Sequence, residues 1–284
     1  MLRVFLFMLI SAPVLSSVTV VNKGTESHPR FIAVNKSHAP QQLVFSLNGL
    51  SNIKASRSRT PIRLVIPPKS RREVVKLWPA NSAYASRWSY SFNSFIGDPS
   101  SRHSGYVYGL PFQAPLSFSV SQAFGGSFSH HHPYSYHSID IPMPVGTLIT
   151  AAREGKVIAI EQGNISSGTR KELLAKANYI TVLHSDGTFA DYAHLRWASI
   201  RPRLGAYVKK GQILGQSGSV GYSSGPHLHF VVRKNFGGSV RSVPFVFEAG
   251  KPFKGQILVA GGEAVDKPVV RSGRKGVAEI RWSE

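Results

Sequence analysis

The 284-residue chain has no cysteine, which excludes disulfides, thiolate metal ligands and a cysteine nucleophile together. Any metal it binds must be held by nitrogen and oxygen. Acidic side chains are scarce: 14 Asp and Glu stand against 34 Lys and Arg, for a net charge of +20. Such a field draws a protein towards polyanions. The cations are spread along the chain, however, and no helix-turn-helix, zinc-finger or RNA-binding signature accompanies them, so nucleic acid is not expected. Long apolar runs are absent as well. The first, Val4 to Leu15, follows one early cation at Arg3 and is shorter than the roughly 20 residues a spanning helix requires. With the small residues after it, segment 1–17 reads as a signal peptide cleaved near Ser16 or Ser17. The protein is then expected to be exported, to the periplasm or cell envelope or beyond, with anionic envelope polymers as the counterpart of its charge.

A hydrophobic fraction of 42% is that of a packed globular protein. From residue 18 to 112, apolar segments (VTVV, RFIAV, QQLVFSL, IRLVIPP, REVVKLW, SYSFNSF) alternate with stretches rich in Asn, Gly, Ser and Pro. Segments of that length and composition predict an antiparallel β-sandwich-like domain. It carries no titratable cluster, so a supporting or targeting role is expected of it. The two prolines of PFQAPLSFSV mark a linker, and residues 113–247 form a second β-rich block punctuated by glycine turns. Within it only TRKELLAKA, Thr169 to Ala177, predicts a helix. Residues 248–284 read as a basic tail.

Eight of the 11 histidines lie between His130 and His229, in SHHHPYSYHSID, LHSDGTFADYAHL and GPHLHF. A triple histidine alone is an ordinary solvated turn. The pair His227 and His229 is more informative, because residues i and i+2 of a strand point to one face about 6.6 Å apart. Two imidazoles on one face, joined by an aspartate and another histidine from distant segments, suit a catalytic zinc site of three protein ligands and one open position. Such a site lowers the pKa of a water and polarises a carbonyl. There is no HExxH, so the ligands are expected on strands rather than on a helix.

Taken together, GYSSGPHLHFVV, DYAHL, VKKGQILGQSGSVG and IDIPMPVGTLITAAREGKV resemble the lysostaphin-type zinc metallopeptidases, peptidoglycan endopeptidases with a duplicated hybrid motif fold. The likeness runs from Phe124 to Val232. It implies an antiparallel β-sheet peptidase domain holding one Zn²⁺, with His229 and Asp140 as ligands and His227 and His194 as catalytic histidines. His194 would orient the water or stabilise the oxyanion. It also implies an orienting role for His184, next to the site, and leaves Tyr192 and Tyr222 to shape the cleft. The first histidine ligand departs from the usual His-x-x-x-Asp, since Tyr136 stands four residues before Asp140. His130 resembles a subgroup in which Phe-Ser-His supplies it across a longer loop; His131 and His132 come next, and His137 last. The implied substrate is peptidoglycan, cut in its crosslinks or stem peptides. The alternative is a non-catalytic peptidoglycan-binding regulator of another hydrolase.

Overall fold

The structure, a computed structural model, describes residues 18–261 and the strand backbone of 269–272 and 278–281. The expected signal peptide and much of the expected tail lie outside the described residues. The mainly β architecture expected from the sequence is the one observed, with antiparallel ladders throughout the larger sheets. Among the described residues no helix is long and apolar enough to cross a membrane. The helix expected over Thr169–Ala177 is reduced to one 3-10 turn, Lys171–Leu173. Arg170 before it is extended and offers no side-chain cap, and of the turn's residues only Leu173 is buried. Good helix formers do not nucleate a helix without a cap or an apolar face to dock.

The chain divides into two compact units, one comprising residues 18–101 with 235–240 and the other 102–234 with 241 onward. The first contains β1 (Val18–Asn22), β2 (Arg30–Asn35), β3 (Gln41–Ser51), β4 (Ile53–Ala55), β5 (Ile62–Ile66), β6 (Ser70–Pro79) and β7 (Arg87–Ile96). They form two sheets, in the orders β1-β2-β6-β4 and β5-β3-β7. β5 reads IRLVI with every second residue buried, the period-two pattern of a strand with one face on a core. Phe31, Val75 and Leu77 from one sheet and Leu43, Phe45 and Leu64 from the other share one apolar cluster. Phe31 sits 5.4 Å from the rings of both Phe45 and Trp88.

The second unit is organised by one antiparallel path of strands: Ser138–Pro142, His227–Asn235, Phe189–Ala193, Tyr179–Leu183, Gly155–Glu161 and Tyr207–Val208. Ile139, Ile141, Leu228, Phe230, Ala190 and Tyr192 belong to its buried cluster, together with Tyr108, Phe245 and Phe247 from outside the path. Because side chains alternate along a strand, the intervening residues Asp140, His227, His229 and Asp191 lie on the opposite face. The same alternation that builds the core thus sets aside a polar row.

Candidate metal centre

In the ladder between Ser138–Pro142 and His227–Asn235, Asp140 is opposite His229 and Pro142 opposite His227. His229 Nδ1 lies 2.8 Å from Asp140 Oδ1, and His227 Nε2 lies 3.8 Å from the same oxygen. His130 arrives by another route, from the loop before the Asp140 strand. Its backbone N–H donates to the Gly126 carbonyl at 2.9 Å, and its Nδ1 lies 3.0 Å from the Ala123 carbonyl. A carbonyl accepts only, so Nδ1 carries the proton and Nε2 keeps its lone pair. That Nε2 is buried without a hydrogen bond and faces Asp140 Oδ1 at 3.3 Å.

This donor set fits a metal. Two donors about 2.0–2.1 Å from a tetrahedral zinc stand about 3.3 Å apart. One ligand atom each from His130, Asp140 and His229 can be chosen so that all three lie within 4.8 Å of one another, and all three residues are buried. Two imidazoles and a carboxylate are ligands that zinc accepts. The other candidates for the first histidine lie elsewhere. His131 is exposed, His132 Nδ1 accepts the Tyr134 N–H at 3.3 Å, and the His137 N–H donates to Ser242 Oγ at 3.0 Å.

His194 stands one residue beyond the strand Phe189–Ala193, with a left-handed φ of 62°. That conformation costs about 1–3 kcal/mol in a residue other than glycine and persists only where its surroundings enforce it. Gly218 is one such constraint: a Cβ there would lie 2.7 Å from the Arg196 nitrogen and 2.9 Å from the His194 carbonyl. The His194 ring donates Nδ1–H to the Val220 carbonyl at 2.8 Å and lies 4.5 Å from the His227 ring, centroid to centroid. His227 Nδ1 is fixed in the same way, 2.8 Å from the Gly225 carbonyl, with Ser223 Oγ at 3.2 Å. In both rings the remaining nitrogen, Nε2, is therefore a lone-pair acceptor.

Burial pushes the His194 imidazole down to about 3, with His227 and His229 adding to the effect. Burial also lowers His229, against the pull of Asp140. For Asp140 burial acts upward, but its contacts with His130 and His229 outweigh it and hold the carboxyl well below its usual range. The burial that lowers His194 and His229 and the contacts that hold Asp140 down favour neutral imidazole and ionised carboxylate at those three positions, the forms in which such groups bind a metal.

Gln122 is not among the residues that the sequence motifs single out. Its Nε2 donates to Asp140 Oδ2 at 2.7 Å and to Ser129 Oγ at 2.8 Å. Its Oε1 accepts the N–H groups of Phe128 at 3.0 Å and Ser129 at 3.3 Å. One amide thus ties the outer oxygen of Asp140 to the loop that delivers His130. Gly126 leaves room for it, since a Cβ there would lie 2.3 Å from Gln122 Cγ. Farther along that loop, the Arg233 guanidinium, ion-paired with Asp191, donates to the Tyr134 carbonyl at 2.9 Å. The only signal in sequence was a glutamine in the stretch before the histidine tract.

Two expected neighbours are absent from the site. Tyr192 is fully buried on the core face, where its hydroxyl accepts the Ala152 N–H at 2.8 Å. His184 follows the end of Tyr179–Leu183 that pairs with Phe189, whereas Tyr179, at the other end, pairs with Ala193 beside His194. It therefore lies at the opposite end of the sheet, with Nδ1 2.8 Å from the Glu154 carbonyl. Tyr222 does reach the cleft, a space of about 1020 Å³ over the histidines, where it stacks on Phe128 at 6.0 Å.

Residues 134–241 match the sequence profile of Peptidase family M23. The chain is 35% identical over 119 residues to lysostaphin of Staphylococcus simulans, covering 40% of this chain and 22% of that protein. It is 32% identical over 95 residues to the peptidoglycan DD-endopeptidase ShyA of Vibrio cholerae, covering 34% and 19%. The chain thus spans about a fifth of the length of these curated relatives. Among solved structures, the catalytic domain of lysostaphin aligns at 34% identity with a TM-score of 0.30, over 49% of this chain and 85% of that one.

Proposed function

We propose, for a chain carrying a lysostaphin-type domain of peptidase family M23, that it is an exported zinc endopeptidase cutting peptide crosslinks or stem peptides of peptidoglycan. The observation that carries this is the convergence of His130, Asp140 and His229 within one ligand shell, with two further histidines beside it whose Nε2 atoms are both acceptors. Zinc would be held by His130 Nε2, Asp140 Oδ1 and His229 Nδ1, and when bound supplies Lewis-acid polarisation of a carbonyl and acidifies water.

The residues around the ligands supply the proton chemistry. His227 is the less buried of the pair and its Nε2 lies 3.8 Å from Asp140 Oδ1. There it takes the proton of an attacking water as the oxygen–carbon bond forms, and returns it to the amine nitrogen as the carbon–nitrogen bond breaks. His194, with its only N–H given to Val220, has no donor left for an oxyanion and instead accepts a hydrogen bond that orients the water. Rings 4.5 Å apart do not both carry charge easily, so the pair handles one proton at a time. The relatives named endopeptidases support the substrate class; secretion and attraction to anionic envelope polymers rest on the sequence of segment 1–17 and the net charge. The first unit is read as a support or targeting module.

The test is release of new amine termini from purified peptidoglycan, with a chelator and then zinc add-back. Activity that disappears and returns with zinc supports the reading. No release by a folded, zinc-loaded protein from several wall types would overturn it in favour of a non-catalytic regulator.

A further inference from the structure

The cleft above the histidines runs on to a rim made by Lys251, Pro252, Phe253 and Lys254. This rim is held in place. Gln256 Oε1 accepts the Phe253 N–H at 3.1 Å and Gln256 Nε2 donates to the Ala249 carbonyl at 2.9 Å. Gly255 N–H donates to the Val120 carbonyl at 2.8 Å, and Val120 N–H to the Gln256 carbonyl at 2.9 Å. Pro252 is buried between the two lysines. Val120 stands two residues before Gln122, whose amide holds Asp140, so one short stretch of backbone ties the rim to the metal ligands.

The charges along this path are unbalanced. Among the described residues Asp140 is the one acidic side chain lining the cleft, and its oxygens are engaged by His229 and Gln122. Lys251 and Lys254 are exposed, and among the described residues neither is paired with a carboxylate. The field of Lys251 reaches the cleft wall: burial lowers the His137 imidazole and Lys251 lowers it further. Phe253 between them is 61% exposed and offers an apolar surface to the chain that bears the anion.

Resting on the peptidase reading above, we propose that Lys251 and Lys254 form an anion subsite that binds a carboxylate of the substrate peptide. The enzyme is then selective for acidic peptides whose carboxylate lies within the cleft's length of the scissile bond. Two ammonium groups on a fixed loop suit this role because the strongly hydrated, flexible lysine head follows an anion without demanding one geometry.

The experiment uses two synthetic peptidoglycan stem peptides, identical except that one has its side-chain carboxylate amidated. The full-length zinc-loaded protein is expected to favour the free carboxylate by about tenfold in kcat/KM, mostly through KM, with the preference shrinking as salt is raised. Lys251→Gln with Lys254→Gln is expected to bring the ratio of the two peptides to near one at unchanged zinc content. A double variant that keeps the wild-type ratio overturns the subsite. Binding of the same pair by fluorescence anisotropy separates this from the premise. Carboxylate preference in binding without hydrolysis of either peptide sustains the subsite and overturns the peptidase reading, and equal binding of the two by wild type overturns the subsite.

Discussion

Replacing Gln122 with methionine isolates the contribution of one amide to the metal centre. Methionine matches glutamine in length and flexibility, so the space beside Gly126 stays filled while four hydrogen bonds are lost. The contact with Asp140 Oδ2, at 2.7 Å, is charge-assisted, and such a bond is worth about 1.5–3 kcal/mol net. Loss of a partner that orients a metal ligand costs about 10–100-fold in metal affinity, or about 1.4–2.7 kcal/mol. Zinc affinity of Gln122→Met is therefore expected to fall 10–100-fold in competition with a chromophoric chelator, and the thermal midpoint of the metal-free protein is expected to fall as well, because the lost hydrogen bonds form without metal. An affinity within about twofold of wild type would refute the reasoning and leave Gln122 as a loop residue only.

His229→Ala is expected to abolish stoichiometric zinc binding, whereas His227→Ala keeps zinc and loses about 10²–10⁴ in turnover; zinc analysis beside amine release checks the division, and loss of metal from His227→Ala would contradict it. Gly218→Ala places a Cβ 2.7–2.9 Å from backbone at Arg196 and His194. It is expected to displace His194 and cut turnover with zinc retained, and wild-type turnover would remove Gly218 as a constraint. Burial holds His184 down from 6.5 to about 4. The unfolded chain therefore takes up a proton there between these values while the folded chain does not, and the contribution, complete above pH 6.5, falls as pH drops to about 4. That is about 3 kcal/mol. Urea midpoints should fall over this range less steeply in His184→Gln than in wild type, and equal slopes would contradict the assignment.

Part of the candidate site was legible because it obeys a period. His227 and His229 share a face by alternation, and the order of motifs around Asp140 and His194 completed the set. The errors came where the period stops. Counting by twos puts Tyr192 beside His194, but the strand ends at Ala193 and the left-handed backbone of His194 turns its ring away from the face Tyr192 occupies. His184 was placed next to the site by the resemblance, yet an antiparallel turn carries it to the far end of the sheet. Gln122 could not be read at all, since its four contacts depend on how the loop between Ser119 and Ser138 closes. The helix at 169–177 failed because propensity was its only support.

The way the ligands are mounted sets which insertions the domain can absorb. Between His130 and Asp140 the chain is a loop pinned by Gln122 at one end and by Arg233 at Tyr134, and length can vary between such pins without disturbing what they hold. The strand bearing His227 and His229 has no such slack. One residue added between Leu228 and His229 turns one of the two imidazoles to the other face, away from its partner. Changes of length are therefore expected to be tolerated before Asp140 and to be disruptive within the strand His227–Asn235.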